Sequence, residues 1–173
     1  MSAASTADAA AALPPRSPGP EPAAGTVVVG IAAFAALELG LALFTAISAH
    51  AFYTAIGPFG PFNAHDLRDV ASFEGAIGIA FLLAIQRPSW RVPVLALATF
   101  QFALHSLNHL LDIGRAHPAS IGYFDFFSLF VATVVLAWLW RMASFEAAGA
   151  TRRAPAPTRA EAPLSPTPGR SIT

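Results

Sequence analysis

The sequence predicts an all-α protein: a bundle of four transmembrane helices, with both termini in the cytoplasm and disordered. Of its 173 residues, 55% are hydrophobic and only 12% are charged, with a mean hydropathy of +0.56. This composition is too apolar for an ordinary soluble domain. Apolar segments long enough to cross a bilayer occur four times between residues 26 and 143. The two ends are rich in Ala, Pro and Ser, a composition that cannot form a core.

The first elements are a tail and a span. Residues 1–25 predict a disordered cytoplasmic tail, and residues 27–49 predict the first membrane span. This apolar run is longer than the hydrophobic region of a signal peptide, and only one basic residue, Arg16, precedes it. We therefore expect it to stay in the mature protein as a transmembrane helix.

The remaining spans follow from their boundary residues. A doubled Gly-Pro-Phe predicts a stiff irregular loop over residues 50–63, because proline lacks a backbone donor and restricts its predecessor. Asn63 is the predicted N-cap of a helix that contains the second span, residues 67–86. Turns rich in Pro, Gly and Arg then separate a third span, residues 92–113, from a fourth, residues 123–142. Residues 144–173 predict a disordered cytoplasmic tail.

Basic residues predict the orientation of these spans. With both termini inside, only Arg68 and Arg115 lie outside, and the cytoplasmic side carries Arg16, Arg87, Arg91, Arg141, Arg152, Arg153 and Arg159. The positive-inside rule favours this arrangement. The bias to Ala, Arg and Pro without any Lys is typical of a GC-rich bacterial coding sequence. We therefore expect a multi-pass protein of the bacterial inner (plasma) membrane.

A polar stripe on the third span is the main candidate site. His105, Asn108, His109 and Asp112 are spaced i, i+3, i+4 and i+7, which places them on one helix face, and Gln101 extends that face by a turn. From helix rise, Glu38 lies roughly 16 Å and His105 roughly 12 Å below the outer helix ends, and Glu74 and His109 each roughly 6 Å. We therefore predict pairs of Glu38 with His105 and of Glu74 with His109.

These residues define a predicted outward-facing polar pocket that the loop of residues 50–63 covers. Its predicted lining is Glu38, Glu74, Gln101, His105, Asn108, His109 and Asp112. A shallower outer layer is predicted to consist of His65, Asp66, Arg68, Asp69, Arg115 and Asp125. Gly75 and Gly78, beside several alanines of the second span, predict a close helix-packing surface.

Three interpretations of the polar stripe stay open. Its side chains form interhelical hydrogen bonds, or they hold a metal ion or haem, or they line a route for protons or a small solute. His105 and His109 have the i, i+4 spacing of metal ligands, but the zinc-protease motif and the Glu-x-x-His motifs of di-iron bundles are absent. Polar residues become rare towards the cytoplasm, so a pocket open to the outside is favoured over a complete path.

Composition also limits the chemistry and the partners. The chain contains no cysteine, which excludes thiol redox chemistry and thiolate ligands. The formal net charge is zero, and a basic patch of the kind that binds nucleic acid is missing. The residues therefore predict a lipid bilayer, and not a nucleic acid, as the surroundings of this chain.

The segment of residues 67–83, LRDVASFEGAIGIAFLL, resembles the second-helix region of DoxX-like small bacterial membrane proteins. Arg68 lies near its start, Glu74 follows, and a Gly-rich apolar stretch comes next. Asn63, His65 and the Arg-Asp-Val that starts at Arg68 are also similar to a segment of actinobacterial-type four-helix proteins. These resemblances imply a four-span fold and an accessory subunit of a membrane redox complex. The expected partners are the lipid bilayer and either such a complex or a second copy of this chain. They imply no catalytic residue. The alternative is a metal- or haem-binding membrane oxidoreductase with His105 and His109 as ligands.

Overall fold

Five α-helices and no strand make up the part of the chain that the computed structural model describes, residues 22–153. In chain order they are α1 (Pro22–Ile47), α2 (Ala49–Ala55), α3 (Ala64–Gln86), α4 (Pro88–Leu111) and α5 (Ala119–Arg153). The predicted all-α class is confirmed. The predicted tails, where they cover residues 1–21 and 154–173, lie outside the described residues.

Four of the helices are long and apolar enough to cross a bilayer, judged by their length and composition. They are α1, α3, α4 and α5, which correspond to the four predicted spans. The short α2 lies between the first two. The chain is therefore a multi-pass membrane protein with a four-helix transmembrane bundle.

The bundle consists of two helix pairs. α1 packs along most of α3, and α4 along most of α5, while shorter contacts join α3 to α4 and α1 to α5. Gly78 of α3 is buried against α1, where a Cβ would lie 2.7 Å from Cγ of Leu39. The predicted close packing at Gly78 is confirmed, because only a residue without a side chain lets the two helices approach so closely.

The helix ends follow from local chemistry. Asn63 caps α3, and its Oδ1 accepts a hydrogen bond from the backbone N–H of His65 at 3.0 Å. This confirms the predicted N-cap. A single residue, Arg87, connects α3 to α4, and α4 starts with Pro88, whose missing N–H needs no partner in a first turn.

The apolar core fills the half of the bundle nearest the start of α1 and the end of α5, which we call the terminal end. The other half, near α2, is the loop end. Ile31, Leu95 and Leu136 are fully buried in this core. Three phenylalanines, which we call the aromatic layer, close it towards the loop end. The ring of Phe34 lies 6.0 Å from that of Phe81 and 5.8 Å from that of Phe102, between centroids.

Four predicted boundaries differ from the structure. The segment predicted as an irregular loop starts with a helix, α2. Residues 22–25 and 144–153, predicted as disordered tail, are helical, because Pro22 suits a first helical turn and residues 144–153 are rich in alanine. α5 also begins at Ala119 instead of residue 123, and this earlier start changes which residues face the bundle interior.

Candidate functional site

Two histidines on α4 form the centre of a polar site at the loop end. Nε2 of His109 lies 3.1 Å from Nε2 of His105, and their ring centroids are 4.9 Å apart. The i, i+4 spacing on one helix places the rings next to each other. Because two ring nitrogens share this contact, one of them must carry the hydrogen and the other must accept it.

Asp125 of α5 extends the histidine pair into a row of three side chains. Its Oδ2 lies 3.9 Å from Nδ1 of His109, and neither of these buried atoms has a hydrogen-bond partner. The distance is that of an ion pair and exceeds a hydrogen bond. A small movement of either side chain, or one bridging water, would connect them.

Asp125, a member of the predicted outer layer, is buried in the bundle beside His109. Its residue is only 8% exposed, and it faces α4 from the second turn of α5. The reason is the early start of α5 at Ala119, which carries Asp125 down into the bundle. Sequence reasoning put Asp125 in a first turn, where an acidic residue is common and exposed.

The row restricts the tautomers of the histidines. If Nδ1–H of neutral His109 points to the Asp125 carboxylate, then Nε2 of His109 carries a lone pair and no hydrogen. His105 must then donate its Nε2–H to His109, which leaves Nδ1 of His105 as an acceptor. A hydrogen bond between His109 and Asp125 would therefore set one direction for the whole row, from His105 through His109 to Asp125.

Two glutamates provide a second pair of carboxyl groups at this end of the bundle. Glu38 of α1 is buried at 4% exposure, and it lies close enough to Glu74 of α3 to interact electrostatically. Oε2 of Glu74 is buried and has no hydrogen-bond partner. Carboxyl groups in apolar surroundings are costly, so they are unusual unless they have a role.

The level of Glu38 follows from the aromatic layer. Phe34 of α1 contacts Phe102 of α4, Glu38 lies one turn beyond Phe34, and His105 lies nearly one turn beyond Phe102, both towards the loop end. The glutamates and the histidine row therefore lie on the same side of the aromatic layer. We call these five residues the polar cluster: Glu38, Glu74, His105, His109 and Asp125.

The glutamates do not contact the histidines with which they are predicted to pair. The recorded partners of His109 are His105, Asp125 and Phe59, and the electrostatic neighbour of Glu38 is Glu74. Helix rise gives the height of a residue along its own helix, but it carries no information on rotation about the helix axes. Rotation decides which side chains of two helices at the same depth face each other.

The other residues of the predicted pocket lie around the polar cluster. Gln101 is half-buried, and its amide oxygen has no hydrogen-bond partner. Asn108 is exposed on the surface of α4. Asp112 forms an ion pair with Arg115 at 3.0 Å, at the end of α4.

The other residues of the predicted outer layer are exposed. His65 and Asp69 lie 3.7 Å apart, one turn from each other on α3. Asp66 and Arg68 are also exposed on the first turns of α3. These four residues do not reach the polar cluster.

The segment between α2 and α3 covers the polar cluster through one residue. Phe59 packs edge-on against the ring of His109, with 4.9 Å between centroids. The Tyr53 hydroxyl donates a 2.6 Å hydrogen bond to the carbonyl of Gly60, and Gly60 has a φ of 66°, a value that suits glycine. The repeated Gly-Pro-Phe predicted a stiff loop, but nothing in the pattern separates Phe59 from Phe62, which is exposed.

The residues that the structure describes contain no group of three or more His, Asp or Glu side chains arranged to hold a metal ion. His105 and His109, the predicted ligands, direct their Nε2 atoms at each other at 3.1 Å. A metal ion would have to replace this contact and recruit further ligands.

Comparison with known proteins adds no relative: no family model, no curated protein and no solved structure matches this chain. The class of protein is therefore defined by the fold and the site alone. It is a multi-pass helical membrane protein with ionisable side chains inside its bundle.

Proposed function

We propose that this protein is a DoxX-like accessory subunit of a membrane redox complex in the bacterial inner membrane, and that its polar cluster exchanges protons. The four-span plan and the segment with Arg68, Glu74 and Gly78 support the first part. Redox complexes that act on membrane-bound carriers take up or release protons, so a subunit with buried acids and imidazoles suits such a complex.

The observation that carries the proposal is the row of His105, His109 and Asp125. Their facing atoms are separated by 3.1 Å and 3.9 Å, and the apolar core fills the other half of the bundle. Ionisable side chains inside membrane bundles are rare and commonly mark proton relays or binding sites. Imidazole suits this role because its two nitrogens accept and release a proton on opposite sides of the ring.

The aromatic layer makes the exchange one-sided. Between the polar cluster and the terminal end lie Phe34, Phe81 and Phe102, followed by a core of aliphatic side chains. Of the described residues that are buried, only Thr99 has a polar side chain past this layer, and its hydroxyl donates a 2.7 Å hydrogen bond to the backbone carbonyl of Leu95. With the predicted orientation, protons would therefore enter and leave the polar cluster from the outside of the cell, and would not cross the membrane.

Purification of the complex tests the first part of the proposal. The tagged full-length chain, extracted from its native membrane in a mild detergent, should co-purify with subunits that carry a visible redox cofactor. The comparison is a tagged variant in which Phe73 and Ile79, two exposed side chains of α3, are changed to alanine. This variant should keep its partners, unless a partner binds at that face of α3. A chain that purifies alone, also after crosslinking in intact membranes, would contradict the role as a subunit.

Nitrogen NMR on protein labelled with ¹⁵N-histidine tests the proton row. We expect His109 to carry its hydrogen on Nδ1 and His105 to carry its hydrogen on Nε2. Asp125→Asn should change the His109 signals, because an amide offers Nδ1 a different partner, and exposed His65 should be unaffected. Asp66→Asn is the matched control on the surface. Identical His109 signals in the wild type and in Asp125→Asn would contradict the row.

A further inference from the structure

A cleft at the loop end opens between two connecting parts of the chain. One wall comes from α2 and the segment after it, and the other wall comes from the turn between α4 and α5. We call it the loop-end cleft, and it is lined by Tyr53, Thr54, Pro58, Gly60, Arg115 and His117. Its volume is about 510 Å³. Sites for small molecules commonly have volumes of roughly 300 to 1,000 Å³, so the loop-end cleft is large enough for more than a bare ion.

The wall formed by α2 presents hydroxyl oxygens that can only accept hydrogen bonds. The Tyr53 hydroxyl donates its hydrogen to the carbonyl of Gly60 at 2.6 Å. The Thr54 hydroxyl donates to the carbonyls of His50 and Ala51, both at 3.1 Å. Because a hydroxyl has one hydrogen and two lone pairs, both oxygens keep acceptor capacity for a ligand. A ligand at this wall must therefore donate.

The wall formed by the α4–α5 turn presents donors. Arg115 forms an ion pair with Asp112 at 3.0 Å, but a guanidinium has five N–H donors, so some stay free for a second anion. The imidazole of His117 is exposed and makes no hydrogen bond or ion pair with another described residue. Between them Ala116, only 1% exposed, packs against Gly122 of α5 and anchors the turn. A ligand at this wall must accept.

We propose that the loop-end cleft binds the phosphate ester of a small polyol, with the phosphate at Arg115 and His117 and the polyol hydroxyls at Tyr53 and Thr54. Phosphate oxygens only accept, and they form strong, commonly bidentate hydrogen bonds with a guanidinium. None of the described residues that line the cleft carries a negative charge. Soluble glycerol 3-phosphate and the headgroup of phosphatidylglycerol share this chemistry.

This inference does not depend on the proposed function. Phe59, between Pro58 and Gly60, does not line the loop-end cleft and packs against His109 instead. No residue of the polar cluster lines the cleft either. A failure to bind a polyol phosphate therefore leaves the redox-complex proposal standing, and the converse also holds.

Isothermal titration calorimetry of the full-length chain, in a detergent that contains neither phosphate nor sugar, tests the ligand class. The probes are glycerol 3-phosphate and phosphocholine, which both carry a phosphate ester, but only the first carries hydroxyl groups that donate. Glycerol 3-phosphate should bind about threefold to tenfold more tightly for each hydrogen bond that phosphocholine cannot form. Equal affinities for the two probes would overturn the inference.

Two variants separate the walls of the cleft. Arg115→Gln should weaken the binding of glycerol 3-phosphate about tenfold or more, because charge-assisted hydrogen bonds are lost. Thr54→Val, which keeps the shape of the side chain, should weaken glycerol 3-phosphate and leave phosphocholine unchanged. Arg68→Gln is the matched control, since Arg68 is the other arginine of the predicted outer side and lies exposed on α3. Equal losses in Arg68→Gln and Arg115→Gln would overturn the inference.

A third variant should bind more tightly, a result that a folding defect cannot imitate. Asp112 competes with the ligand for Arg115, and the two side chains form an ion pair near the surface. Asp112→Asn should therefore raise the affinity for glycerol 3-phosphate by about two- to fivefold, the range for a surface ion pair. An unchanged or lower affinity would contradict the role of Arg115.

Solid-state NMR in phosphatidylglycerol bilayers identifies the source of the ligand. If the ligand is the lipid headgroup, ³¹P should dephase the ¹⁵N signal of His117, and Arg115→Gln should abolish this effect. If the ligand is soluble, the effect should be absent in the bilayer and should appear when glycerol 3-phosphate is added. Absence of ³¹P dephasing at His117 under both conditions would overturn the inference.

Discussion

Gly78 tests how closely α1 and α3 must approach in the part of the bundle that carries Glu38 and Glu74. A Cβ at Gly78 would lie 2.7 Å from Cγ and 3.1 Å from the backbone nitrogen of Leu39. The side chain of Leu39 can rotate away, but its backbone cannot. Since non-bonded contacts are optimal near 3.5 to 4.0 Å, the helices would have to separate by roughly 0.5 Å.

We therefore expect Gly78→Ala to lower the free energy of unfolding by about 1 to 3 kcal/mol, the usual range for overpacking. Two other glycines are matched controls. At Gly75 the nearest atom to a Cβ is Cβ of Ala42 at 3.6 Å, and at Gly40 nothing lies within 4 Å. Alanine at either site should be neutral or should stabilise the protein by up to about 1 kcal/mol, because alanine favours the helix.

Unfolding in mixed micelles with increasing mole fraction of dodecyl sulfate, followed by tryptophan fluorescence, measures the three variants. The order of stability should place Gly78→Ala clearly below Gly75→Ala and Gly40→Ala. If all three were equally stable, α1 and α3 would not be in close contact at Gly78. The proximity of Glu38 and Glu74, which depends on that contact, would then be wrong as well.

Three further predictions concern the loop end, the aromatic layer and cofactors. Gly122→Ala should prevent accumulation of folded protein, because a Cβ at this position would overlap the backbone carbonyl of Ile113. Gly114→Ala is the control and should be tolerated, because a Cβ there would lie in open space. Size-exclusion chromatography in detergent distinguishes the two outcomes. Wild-type protein in vesicles should not raise their proton permeability, whereas Phe34→Ala, which opens the aromatic layer, should raise it. Val29→Ala is the control, because Val29 is exposed, and a pH-sensitive dye inside the vesicles reports the leakage. Equal leakage with the two variants would refute the sealing role of the aromatic layer. Elemental analysis of purified protein should find less than one metal ion per chain, since the described residues contain no group of three suitable ligands. A stoichiometric metal that disappears when both His105 and His109 are replaced would refute this prediction.

Much of the fold could be predicted because it depends on local properties of the chain. Length and hydropathy of each segment are sufficient to locate α1, α3, α4 and α5, and Asn63 marks the start of α3 by its own capping chemistry. The i, i+4 relation of His105 and His109 is a property of one helix, so the sequence alone can predict that the two rings, 3.1 Å apart at Nε2, are neighbours. The overall architecture required no knowledge of how the helices pack.

Helix rotation and segment boundaries needed the tertiary structure. Asp125 reaches His109 because α5 begins at Ala119 and turns this face to α4, and Phe59 reaches His109 because the chain folds back after α2. Both contacts join segments that are distant in the chain, and neither leaves a periodic signal in the sequence.

By itself, the sequence determined that this protein has four apolar helices and a stripe of polar side chains on the third of them, because periodicity and hydropathy act within one segment. Only the tertiary structure decided that Asp125 completes the row with His109, that Glu38 lies near Glu74, and that the aromatic layer closes the polar cluster on one side. The physical reason is that side chains on different helices meet according to depth and rotation together. Composition and spacing constrain the depth, and packing alone sets the rotation.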